Sequence, residues 1–222
     1  MLQFIYGYDT TSRVIRQVSG WYNRALRTPV SDTRHTRKVA MDHKNHTLPG
    51  YIVPELTCCF TGHRQIGAAA RKPLIAAVDI EIRNLYRDGY RYFIAGGAIG
   101  FDMLAEIEVI RAARFDRSVE LILALPCRDQ TALWKNDIEL LKRYKDILGY
   151  ARHIVYIDDL YRDGCMRDRN RFMVEHSSVC IAYYSGHYQS GAGQTVRMAN
   201  AAGLEVINLW DRVAEQVGKA KN

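Results

Sequence analysis

Residues 95–102 read AGGAIGFD: three glycines and two alanines within six residues, then a phenylalanine and the acidic Asp102, with an amphipathic stretch following. Glycine admits positive φ and leaves its N–H open to an approaching anion, while the unpaired amides at a helix start attract negative charge. Gly96, Gly97 and Gly100 are therefore expected to hold a phosphate or pyrophosphate. A tight turn would also use glycine, although one usually suffices. Asp102 has two readings. As an N-cap it would accept from first-turn amides, worth on the order of 1 kcal/mol; in a dinucleotide site an acidic residue grips a ribose hydroxyl or a base edge. Glu106, one turn on, faces the same side. Asp102 and Glu106 are the candidates for any acid–base chemistry.

Two more stretches carry reactive types. In TGHR (61–64) Gly62 permits close approach, and His63 and Arg64 offer donors to a phosphate or a carbonyl, or are simply surface residues. SGHYQSGAGQ (185–194) is a second glycine-rich segment, with Gly191 and Gly193 leading into a helical pattern.

Short apolar runs that alternate with amphipathic stretches must position these residues. LTCCF (56–60), RYFIA (91–95), VELILAL (119–125), RHIVYI (152–157), VCIAYY (179–184) and LEVINLW (204–210) read as strands. Between them 73–89, 103–115, 132–148, 169–177 and 195–203 read as helices, with Pro73 in a first turn and Gly89 and Gly149 as stops. Six strands joined by helices predict an α/β fold, a Rossmann-like, doubly wound and mainly parallel sheet with helices on both faces. Ligands bind such sheets beyond the carboxyl ends of the strands, which is where the glycine-rich segments fall.

The chain has 222 residues and a net charge of +7. Residues 1–56 hold 8 Lys/Arg against 4 Asp/Glu, and residues 57–222 hold 23 against 20, which weighs against nucleic acid as partner of the main domain. Arg162, Arg167, Arg169 and Arg171 are the candidates for a basic patch. Residues 1–56 lack periodicity and are expected to be a poorly ordered or loosely attached basic extension, 57–211 the folded domain, and 212–222 a C-terminal tail. His43 and His46 lack the Cys or Glu partners of a metal site, and none is expected elsewhere. The five cysteines, an odd number with no C-x-x-C, read as reduced and mostly buried. No run approaches a membrane span and the start lacks a secretory pattern, so a cytoplasmic protein with no membrane partner is expected. Exposed helical faces of such sheets often pair, which admits a homo-oligomer.

CFTGHR (59–64), AGGAIGFDMLAEI (95–107), Pro126 with Gln130 and Trp134, and RNRFMVEHSSVCIAYY (169–184) together resemble the DUF1273 (YpsA/YoqJ-like) family of the SLOG superfamily, over roughly residues 57–210. The resemblance implies a SLOG Rossmann-like fold and a cleft for a nucleotide or nucleotide-derived ligand, such as an ADP-ribose or NAD derivative, read by a sensor or regulator. It places Gly62, His63, Arg64, Gly96, Gly97, Gly100, Asp102, Gln130, Trp134 and Arg169 at or near that cleft. Trp134 would stack on a base or pack at the sheet edge, and Arg169 and Arg171 would straddle a helix start. The resemblance also raises a LOG-like hydrolase of the N-glycosidic bond of a nucleoside monophosphate, and DprA-like binding of single-stranded DNA. LOG enzymes carry P-G-G-x-G-T-x-x-E. Residues 190–198 here, SGAGQTVRM, keep Gly193 and Thr195 but have Arg197 and Met198 where an acid is expected, which counts against cleavage through an oxocarbenium-like state.

Overall fold

A computed structural model describes residues 48–134 and 137–220. The strands are β1 (Thr57–Gly62), β2 (Tyr92–Ala95), β3 (Glu120–Leu125), β4 (His153–Tyr156), β5 (Val179–Tyr183) and β6 (Glu205–Asn208), forming one six-stranded sheet in the order β4-β3-β2-β1-β5-β6 with every pairing parallel. The helices are α1 (Ala68–Arg87), α2 (Phe101–Phe115), α3 (Ile138–Tyr150), α4 (Cys165–Glu175), α5 (Gly191–Ala201) and α6 (Trp210–Lys219). From β1 the chain steps outward through β2 and β3 to β4, then crosses back to the other side of β1 for β5 and β6. The direction of winding therefore reverses between β1 and β5, and their carboxyl ends flank a crevice. Right-handed crossovers put α1, α2 and α3 on one face of the sheet and α4 and α5 on the other.

The strands read as apolar runs because both of their faces are covered. On the α4–α5 face Cys59, Ile94, Ile122 and Cys180 pack with Phe172, Met173 and Ala199. On the opposite face Phe60 stacks on Phe93 with centroids 6.1 Å apart and meets the edge of Phe101 of α2 at 6.4 Å. All five cysteines are free and buried.

Several boundaries differ from the sequence reading, each for a local reason. Helix α1 begins five residues before Pro73, which lies inside the helix rather than in its first turn. The helix expected over 132–148 is two elements: a 3-10 helix from Gln130 to Trp134, then α3, capped where Asp137 Oδ1 accepts from the Leu140 amide at 2.9 Å. Helix α3 also runs through Gly149. Helices α4 and α5 each start four residues earlier than their apolar patterns, so Arg169 and Arg171 lie within α4 and Gly191 and Gly193 open α5.

Of the basic extension, residues 1–47, with His43 and His46, lie outside the described residues. Residues 48–56 are docked: Ile52 is buried in the α4–α5 face and Leu48 packs against it. Residues 212–219, expected in the tail, belong to α6, which buries Val213 and pairs Arg212 with Glu81 of α1. Among the described residues no helix is long and apolar enough to cross a membrane.

Candidate functional site

The loop after β2 is pinned from within the protein. The Gly97 amide donates to Glu106 Oε1 at 2.9 Å, and the Gly96 and Ala98 amides face the Asp102 carboxylate. On the carbonyl side Gly96 accepts from the Arg169 guanidinium and Gly97 accepts from Gln130 Nε2 at 2.5 Å. Thus the amides of Gly96 and Gly97, expected to hold a phosphate, are already engaged by the protein's own carboxylates. Asp102 is not the N-cap of α2; Gly100 is, and Asp102 folds back over the loop.

All four glycines near this loop are set by packing. A Cβ on Gly96 would fall on the Arg169 guanidinium and lie 2.8 Å from Asp102 Oδ2, and one on Gly62 would lie 2.5 Å from the Phe101 ring. Gly97 sits at φ +65°, where a Cβ would meet Leu125 at 2.5 Å. Gly100, at φ +94°, makes the turn into α2 and passes directly against the Arg64 carbonyl, a close approach that excludes any side chain.

The buried polar cluster has one cation and two acids. Arg169 Nη1 lies 3.8 Å from Asp102 Oδ2, and its Nε donates to Asn170 Oδ1 at 2.7 Å. Burial raises the Asp102 pKa against the pull of Arg169 and the Ala98 and Gly96 amides. Burial, then repulsion from Asp102, raises Glu106 well above the usual carboxylate range, and burial lowers Arg169. One proton on Glu106 therefore leaves a single ion pair, Asp102 with Arg169, in place of an uncompensated negative charge. Glu106 Oε2 and Gln130 Oε1 have no hydrogen-bond partner in this cluster. Trp134 is half-buried and its ring and that of Tyr144 of α3 meet edge to face at 5.4 Å.

The β1 loop is the open side. The Arg64 side chain is exposed, makes no ion pair among the described residues, and acts electrostatically on Asp102 and Arg169. Nearby, the amides of Ile99, Gly100 and Asp102 donate to no group among the described residues, whereas Phe101 donates to the His63 carbonyl at 3.1 Å and Met103 to Ala98 at 3.3 Å. His63 faces Tyr183, Tyr184 and Trp210 at centroid distances of 6.0, 6.2 and 5.5 Å. Its Nε2 accepts from the Ser185 amide at 2.9 Å and lies 2.9 Å from Ser185 Oγ. An amide can only donate, so Nε2 is unprotonated and the neutral ring carries its proton on Nδ1. Burial, then His187, lowers the pKa of this ring.

At the second glycine segment the Gly193 amide donates to the capping Ser190 Oγ at 3.0 Å, and Thr195 is fully buried with its hydroxyl bonded to the Gly191 carbonyl at 3.1 Å. Both groups are taken up by the helix start itself. Three of the four arginines proposed as a basic patch share two carboxylates: Arg162 pairs with Asp158 and Asp168 at 3.0 and 2.8 Å, and Arg171 and Arg167 lie 3.3 and 4.0 Å from Asp168. The fourth, Arg169, is the buried one.

Residues 50–205 match the family model described as the YspA SLOG family (YpsA). The chain belongs to this SLOG family. Its relatives include the SPbeta prophage-derived protein YoqJ of Bacillus subtilis strain 168, 28% identical over 127 residues, covering 51% of this chain and 70% of that protein. A UPF0398 protein of Halalkalibacterium halodurans is 26% identical over 140 residues, covering 62% of this chain and 70% of that one. Among solved structures, DNA processing protein A of Streptococcus pneumoniae matches at TM-score 0.50 and 15% identity, covering 76% of this chain and 56% of that one, a likeness of fold. The DNA processing protein A of Helicobacter pylori, described for its single-stranded DNA binding, gives TM-score 0.49 at 16% identity, covering 76% of this chain and 81% of that one.

Ser185, Tyr184 and Trp210 surround His63 without having been singled out in the sequence. Only the position of Ser185 directly after an apolar strand hinted at a place on the crevice rim.

Proposed function

We propose that the crevice between the carboxyl ends of β1 and β5 binds a nucleotide or nucleotide-derived ligand, such as an ADP-ribose or NAD derivative, as a sensor or regulator. The observation that carries this reading is the exposed Arg64 guanidinium, without an ion pair among the described residues, on the β1 loop that packs against Gly100, where the Ile99 and Gly100 amides donate to no group among the described residues. A cation and unengaged helix-start donors on one rim favour a phosphate, and a guanidinium matches its planar, bidentate geometry. The phosphate then lies on the β1 side of the loop, and the engaged Gly96 and Gly97 amides serve to hold that loop's shape. Membership in the SLOG family supports the ligand class. The carboxylates beside Arg162 and Arg171 and the near-balanced charge of residues 57–222 favour a small anion over DNA.

Isothermal titration with a panel of nucleoside mono- and diphosphates, ADP-ribose and NAD tests the reading. Saturable binding is expected, weakened about 10- to 100-fold by Arg64→Ala, the loss of a charge-assisted bond. Absence of binding across the panel at millimolar concentration, or a panel ligand bound equally by Arg64→Ala, overturns it.

A further inference from the structure

We infer that Ser185 and His63 form a nucleophile–base pair, and that the chain hydrolyses small carboxylic esters at the rim of the crevice. The inference rests on the geometry of the β1 and β5 loops and goes beyond ligand binding. Ser185 is exposed, directly follows the Tyr183 and Tyr184 of the β5 end, and holds its Oγ 2.9 Å from His63 Nε2. A serine is a weak nucleophile until a base within hydrogen-bond reach takes its proton. The Ser185 amide donates to Nε2, which fixes that nitrogen as the unprotonated one and turns it toward Ser185; its single lone pair must leave this bond to take the Oγ proton. The ring is walled by Tyr183, Tyr184 and Trp210. The backbone of His63 is held at both ends, its amide donating to the Tyr183 carbonyl at 3.2 Å and its carbonyl accepting from Phe101.

After the serine, Gly186 turns the chain at φ +90°, and its amide donates to no group among the described residues. The amide next to a nucleophile is the natural donor to a developing oxyanion. In the acylation step Ser185 Oγ bonds to the ester carbonyl carbon while its proton passes to His63 Nε2, and the Ser185 amide gives up its bond to that nitrogen. The carbonyl–oxygen single bond then breaks and the alcohol leaves with the proton from Nε2. Water repeats the sequence on the acyl-serine, releasing the acid and restoring Ser185 Oγ–H. Arg64, adjacent in sequence to the base, favours esters whose alcohol part carries an anion.

The test uses the full chain with a fluorophosphonate probe, which forms a P–O bond to an activated serine and expels fluoride. Peptide mass analysis is expected to find the adduct on Ser185 and to lose it in Ser185→Ala, which keeps the amide bond to His63 and hence the fold. His63→Gln is expected to slow labelling at least 100-fold, the contribution of a positioned base, and p-nitrophenyl acetate turnover is expected to fall in parallel. No adduct on Ser185 with excess probe at pH 8, or an equal rate in His63→Gln, overturns the inference. The probe requires no nucleotide, so failure here leaves the binding reading standing, and failure of the titration leaves this one.

Discussion

Gly96→Ala isolates what holds the loop after β2. The backbone there is not in the positive-φ region, so the substitution acts through the added methyl alone. That methyl falls on the Arg169 guanidinium and within 2.8 Å of Asp102 Oδ2. Arg169 is 6% exposed and bonded to the Gly96 carbonyl and Asn170 Oδ1, so it has no short path to water. It must leave Asp102 and the Gly96 carbonyl, and separating a buried pair leaves charges uncompensated at about 3–5 kcal/mol. The assay is urea unfolding at pH 7, read as a shift in midpoint at unchanged slope. The same substitution in an Arg169→Ala background, where the space is vacant, is expected to cost less than about 1 kcal/mol, so the cycle returns a coupling of at least about 2 kcal/mol. A Gly96→Ala cost below about 1 kcal/mol, or equal costs in both backgrounds, would refute the steric argument.

Glu108, paired with Arg111 at 2.9 Å, has its carboxyl pushed up to about 7, chiefly by burial. The folded state therefore holds this proton more tightly than the unfolded chain, and the stability it contributes is full below about pH 4.5 and lost as pH rises through about 7, at about 1.4 kcal/mol per unit in between. Unfolding of Glu108→Gln from pH 4 to 8 should lack that slope; profiles parallel to the parent would contradict the assignment. Gly62→Ala presses a methyl 2.5 Å from the Phe101 ring and should cost about 1–3 kcal/mol, most of it recovered in a Phe101→Ala background; a midpoint that does not move speaks against the contact. Val213, 1% exposed, fastens α6; Val213→Ala is expected to cost about 2 kcal/mol by denaturant unfolding, and a cost near zero would mean that α6 is not docked through it.

The architecture was legible because a parallel sheet covered on both faces leaves a direct trace: LILAL, VCIAY and CCF are continuous apolar runs, spaced by helix-length amphipathic stretches. The glycine-rich segments after strands marked the crevice for the same reason, since turns beyond strand ends obey local rules. Helix starts were less legible: α4 and α5 open with residues that carry no apolar pattern, and the polar face of a first turn resembles a loop.

What the sequence determined by itself was local: strand and helix periodicity, the turn chemistry of Gly100, and the parallel α/β class. What only the tertiary structure decided was which polar groups remain open. Gly96, Gly97, Gly100 and Arg64 were all expected near an anion, yet the amides of the first two are engaged by Asp102 and Glu106, while the Gly100 amide and the Arg64 guanidinium have no hydrogen-bond or ion-pair partner among the described residues. Arg169 and Arg171 stand two residues apart on one helix, one buried on Asp102 and the other exposed beside Asp168. A donor's availability depends on partners far off in sequence, such as Gln130 reaching back 33 residues to Gly97 and Ser185 reaching 122 residues to His63. Burial then sets the charge state of whatever the fold has brought together.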